Sequence, residues 1–137
     1  MVARCSTPSV SFLVVISLVV NIAVLVAVCT VLVAFPSSEH ITFVWGPPTA
    51  GRGILLSVYF AILFMSGALL AAHSRCADKK PVQYMVAALL ATQIAYKITT
   101  PATAGALNPV ALSNLAISLL HAATLYKLWY HHVRGAA

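Results

Sequence analysis

From Val10 to Ala34 the chain runs without a single charged side chain. An α-helix needs about 20 apolar residues to cross the hydrocarbon core of a bilayer, and only helices and closed barrels can satisfy their own backbone there. Three further apolar segments follow, at 53–73, 82–100 and 109–130. The sequence therefore predicts an all-α integral membrane protein: a four-helix bundle with antiparallel neighbours, forming one transmembrane domain with an outer loop at 36–52. Composition agrees, with 61% hydrophobic residues, 7% charged residues and a mean hydropathy of +0.97. A soluble domain carries about 25% charged residues. The first segment exceeds the apolar core of a secretory signal, about 7–15 residues, and is expected to stay as a membrane helix.

Charge sets the orientation. Eight basic residues oppose only Glu39 and Asp78, for a formal net charge of +6. Arg4, Arg75, Lys79, Lys80, Lys127 and Arg134 fall on one side of the expected helices, and Arg52 and Lys97 on the other. Six against two places both termini in the cytoplasm and leaves the loop with Phe43, Trp45 and Gly46-Pro47-Pro48 outside. That loop is expected either to lie on the membrane surface or to fold back as a cap over the bundle. Short basic segments suit anionic lipid headgroups, and no basic face on a soluble domain exists to track a phosphate backbone, so nucleic acid is excluded as a partner.

Cys5, Cys29 and Cys76 are an odd set without CxxC spacing, and free thiols are expected. Val28 precedes Cys29 where a lipoprotein needs a small residue.

Polar residues within the apolar segments carry the functional information. Asn114, Ser118 and His121 follow the i, i+4, i+7 pattern of one helix face, and Tyr59, Ser66 and His73 recur every seven residues, the seam of a left-handed bundle. Gly67/Ala71, Ala68/Ala72 and the ridge Ala87, Ala91, Ala95 allow close helix approach. Thr99-Thr100-Pro101 is expected to end the third helix. Counted from the cytoplasmic ends, Asn21, Ser66, Gln93 and His121 lie about seven to eleven residues deep. At about 1.5 Å per residue, each helix places one polar side chain in a common midplane layer a few ångströms thick. Such a layer can be hydrogen-bonded glue between helices or a conduction and binding site.

Glu39, Lys97 and Asn114 form a candidate outer gate. Lys97 either snorkels to the interface on its four-carbon stem, pairs with Glu39, or hydrogen-bonds Asn114. Haem is not expected: His73 and His121 are separated in depth by roughly 12 Å, too far for axial ligands of one iron. No metal or other cofactor is expected either. Paired carboxylates, GxSxG, HExxH and glycine-rich phosphate loops are missing, which argues against catalysis.

Asn108-Pro109-Val110 resembles the Asn-Pro-Ala box of aquaporins, but a single copy at the start of a full-length helix cannot build their paired half-helix pore. In length and number of crossings the chain is similar to small multidrug transporters, which use a glutamate inside the first helix where this chain has Asn21. Neither family is assigned.

The expected role is that of a non-catalytic accessory or scaffolding subunit, multi-pass in the cytoplasmic or plasma membrane. Its expected partners are the lipid bilayer and other membrane subunits or further copies of itself. The alternative is a small channel or transporter using the midplane layer, and a weaker one is a binder of lipid beneath Phe43 and Trp45.

Overall fold

The computed structural model describes residues 8–136, with side chains over residues 10–131. It contains five helices: α1 (Pro8–Ala34), α2 (Glu39–Trp45), α3 (Ala50–Arg75), α4 (Lys80–Ala104) and α5 (Pro109–Ala136). No strand occurs among the described residues. Arg4 and Cys5 lie outside them, as do the side chains of His132 and Arg134.

Three helices are long and apolar enough to cross a membrane, over Val10–Ala34, Ala50–Arg75 and Pro109–His131. α4 falls outside that group although it has 25 residues. Gln83, Gln93 and Lys97 dilute its apolar character, and all three point inward. Its outward side presents Tyr84, Met85, Ala88, Ala91, Ala95 and Ile98. The exposed threonine hydroxyls on that side, Thr92 and Thr99, donate to the carbonyls of Ala88 and Tyr96.

The long helices associate chiefly as two pairs, α1 with α3 and α4 with α5, and smaller α1–α5 and α3–α4 contacts join the pairs. Heptad spacing explains which side chains meet. On α1 the buried residues are Val10, Val14, Ser17, Leu18, Asn21, Leu25, Cys29 and Leu32, spaced by three or four except for the adjacent Ser17 and Leu18, a pattern that holds one side of the helix inward. On α3, Arg52, Tyr59, Ser66 and His73 are all buried. Two apolar clusters result. One joins Val14 and Leu18 to Val86 and Leu90, with Leu69 and Leu128, and the other joins Leu25, Cys29 and Leu32 to Ile41 and Tyr59. Along α1, Asn21 falls between them.

The outer connection is not a plain loop. Ser38 caps a seven-residue helix by accepting from the Ile41 N–H, and Gly46, at φ 79°, closes it where a Cβ would be strained. Ile41 and Val44 bury against the long helices, so the connection folds back as a cap. Two side chains pin it. The Arg52 guanidinium donates to the carbonyls of Gly46 (2.8 Å) and Pro36, and the Asn108 amide donates to the Val44 carbonyl at 3.2 Å. Asn108 also accepts from the Val110 N–H at 2.8 Å, ahead of Pro109 in the first turn of α5.

Pro101 does not end the third long helix, contrary to the sequence expectation. α4 continues through it to Ala104 and stops at Gly105, whose φ is 95°. Proline removes one N–H and crowds the carbonyl four residues back. Threonine hydroxyls add bonds to the turns on either side of it, Thr99 and Thr100 to the Tyr96 carbonyl and Thr103 to those of Thr99 and Thr100.

Candidate functional site

All four residues of the expected midplane layer, Asn21, Ser66, Gln93 and His121, are buried to 1% exposure or less. The two on α1 and α3 meet directly. Asn21 donates from Nδ2 to Ser66 Oγ at 2.7 Å, and Ser66 passes its own proton to the Ile62 carbonyl at 2.8 Å. A second hydroxyl pair ties α1 to α5: Thr124 donates to the Leu120 carbonyl at 3.0 Å, so Ser17 is the donor in the 2.7 Å contact between the two side chains. Nearer the start of α1, Ser11 Oγ and His73 Nε2 share a hydrogen bond at 2.8 Å.

The α4 and α5 side of the layer is organised differently. Gln93 does not bond Asn21, Ser66 or His121. Its Oε1 accepts from Lys97 Nζ at 2.7 Å, one turn along the same helix, while its Nε2 has no protein partner. Both ring nitrogens of His121 and the hydroxyl of Ser118 also lack one. His121 lies within electrostatic reach of Lys97. A buried polar group left without a partner costs about 1–3 kcal/mol, so these atoms are a standing cost to the fold.

Lys97 departs from the expectation that it snorkels. It is 3% exposed and turns back along α4 to Gln93, with its ammonium 5.2 Å from the centroid of the Tyr96 ring. Nor does it pair with Glu39 or Asn114. Glu39 is exposed at the start of α2, and the Asn114 amide donates instead to Thr100 Oγ1 at 3.1 Å. The expected outer gate is thus divided: Lys97 and Asn114 sit inside, and Glu39 stays outside.

Lys97 and Asn114 line a half-enclosed cavity of about 250 Å³, together with Asn21 on α1 and Tyr59 on α3. Trp45 and Val44 of the pinned cap close over it, and His40 stands at its rim. Val24, Leu25 and Val28 make one wall apolar. A second cavity of about 570 Å³ adjoins it, sharing Trp45, Tyr59, Tyr96 and Asn114 and adding the hydroxyls of Thr99, Thr100 and Thr103. Asn21, which lines the first cavity, belongs to the expected midplane layer, as does Gln93, which holds Lys97. The cavity thus reaches the layer from the α2 end. At the other end Val14, Leu18, Val86 and Leu90 pack without exposure.

Arg52 and Asn108 matter to this geometry as the clamps of the cap. Arg52 stands seven residues before Tyr59 in the same series as Ser66 and His73, a signal present in the sequence. The double role of Asn108, cap of α5 and tether of α2, needs the tertiary fold. Among the described residues no group of three or more His, Cys, Asp or Glu side chains could hold a metal ion, and Cys29 and Cys76 are free thiols. Comparison of the chain with protein-family models, with curated proteins and with solved structures finds no match.

Proposed function

We propose that this chain is a multi-pass membrane protein in which α1, α3, α4 and α5 all cross the bilayer as a four-helix bundle, with both termini cytoplasmic. Its activity is to take up a small polar solute from the α2 side, as a small transporter or channel does. The observation that carries this reading is Lys97, a buried cation that lines a cavity and is held there by the neutral amide of Gln93. An ionisable side chain at membrane depth is expensive and marks a solute or ion path more often than mere packing. The apolar cluster of Val14, Leu18, Val86 and Leu90 serves as the closed end of the path.

Two features support the crossing of α4 despite its mixed composition. Its outward side between Tyr84 and Thr99 carries no charge, and the exposed threonine hydroxyls there are satisfied by its own backbone. The asymmetry of lysine and arginine supports cytoplasmic termini in a cytoplasmic or plasma membrane. Purified chain in liposomes is expected to pass at least one of protons, potassium, chloride or acetate above protein-free vesicles. Gln93→Ala and His121→Ala should lower that flux in protein that still folds. No flux for any of the four ends the reading.

A second reading, an accessory or scaffolding subunit that packs against membrane partners or its own copies, is favoured by the exposed small residues Ala88, Ala91 and Ala95 of α4. Cross-linking of an Ala91→Cys variant in native membranes distinguishes it, since a chain that acts alone gives no adduct.

A further inference from the structure

We propose that the cavity beneath α2 is a site for a monoanionic amphiphile: one carboxylate or phosphodiester group, held by Lys97, on a short apolar body. The inference deepens the solute-path reading and rests on it for the cavity's role, but the site itself stands on separate observations.

The chain has two acidic residues, Glu39 and Asp78. Glu39 is exposed at the start of α2, and Asp78 lies in the α3–α4 connection, where its carboxylate accepts from the Lys80 N–H. Neither neutralises Lys97, whose protein contacts are a neutral amide oxygen and the face of an aromatic ring. A buried cation without a counterion is strongly unfavourable, and an anion drawn into the cavity removes that penalty. The amides of Asn21 and Asn114 line the same space and can supply further donors once their present bonds shift.

The rest of the lining selects what the charge is attached to. Val24, Leu25, Val28 and Val44 offer only hydrocarbon, and the Trp45 indole N–H and Ser113 hydroxyl are neutral groups that can bond an anion without matching a second charge. One ammonium matches one negative charge. At about 250 Å³ the cavity itself holds a short apolar body, and the chain of a longer amphiphile would run on into the adjoining cavity past Tyr59 and Tyr96. Either a free carboxylate or the headgroup of an anionic lipid supplies this chemistry.

Trp45 reports on the site, because the only other tryptophan, Trp129, is exposed on α5 and can be replaced. A Trp129→Phe protein in detergent is titrated with 8-bromooctanoate, whose bromine quenches indole on contact, and with uncharged 8-bromooctanol. Expected is saturable quenching by the carboxylate, at least about tenfold weaker for the alcohol, lost in Lys97→Met and kept in Lys97→Arg, the charge-assisted contact accounting for that factor. Brominated phosphatidylglycerol is the second arm. Saturable quenching by it rather than by the octanoate assigns the charge to a lipid headgroup. Equal quenching by acid and alcohol in the Lys97 protein overturns the proposal even where Lys97→Met fails to fold. Anion binding without flux leaves this site standing and removes the path, and flux without anion binding does the reverse.

Discussion

Lys97 Nζ lies 2.7 Å from Oε1 of Gln93, one helical turn back along α4, so the one cation in the cavity is held by an amide and not by an acid. A hydrogen bond to a charged group contributes about 1.5–3 kcal/mol. Gln93→Leu removes it and strands the ammonium. The variant is expected to lose about 2 kcal/mol of stability in detergent, and Gln93→Leu combined with Lys97→Met to lose less than Gln93→Leu alone. Thermal unfolding of the three proteins checks the order, and a double variant weaker than both singles contradicts it.

His121 separates a solute path from packing glue. Both of its ring nitrogens are buried without a protein partner, so His121→Leu, similar in volume, removes unsatisfied groups rather than bonds. Stability should hold or rise, by up to about 2 kcal/mol, while flux through reconstituted vesicles falls. A large drop in melting temperature shows instead that His121 cements the helices.

Asn21 and Ser66 are the converse case, because their 2.7 Å bond is complete and joins α1 to α3. A double-mutant cycle with Asn21→Leu and Ser66→Ala should give a coupling of about 0.6 kcal/mol, with about 1.7 kcal/mol as a ceiling for such pairs in membranes. Zero coupling, measured by unfolding in detergent, means the two side chains do not meet.

Arg52 holds the cap through two carbonyls, Gly46 and Pro36, with the fork of a guanidinium. Arg52→Lys places one ammonium where two directed donors are needed and should fail to rescue Arg52→Gln. In both variants amide hydrogen exchange across residues 39–46 is expected to speed up at least about tenfold, the consequence of losing about 1.5–3 kcal/mol of charged hydrogen bonding. Unchanged exchange places the hold on α2 elsewhere.

Much of the interior can be read from spacing. Tyr59, Ser66 and His73 at intervals of seven, and Asn114, Ser118 and His121 on one helical face, are buried as that periodicity implies. Arg52 continues the first series, but at the edge of an apolar segment a lone arginine also fits a flanking charge, and only the carbonyls of Pro36 and Gly46 decide its role. α2 is too short for any period to show, and its flanking Gly46-Pro47-Pro48 carries the signature of a loop. At Pro101 the local rule fails because the helix runs on to Gly105, with three threonine hydroxyls bonded to the carbonyls of Tyr96, Thr99 and Thr100 in the adjoining turns. The direction taken by Lys97 is the least legible feature, since snorkelling outward and turning inward to Gln93 begin from the same helical position.

Charge-selective access to Asn114 tests the central claim most directly. In a Cys5→Ser, Cys76→Ser background, where the remaining native thiol, Cys29, is buried, a cysteine at Asn114 lines the cavity beside Lys97. Thiosulfonate reagents of either charge are applied from the non-cytoplasmic side, with each rate scaled to that of a free thiol. The account expects the site to be modified from that side, and faster by the anionic reagent than by the cationic one. No modification from that side, or a faster reaction with the cation, contradicts it.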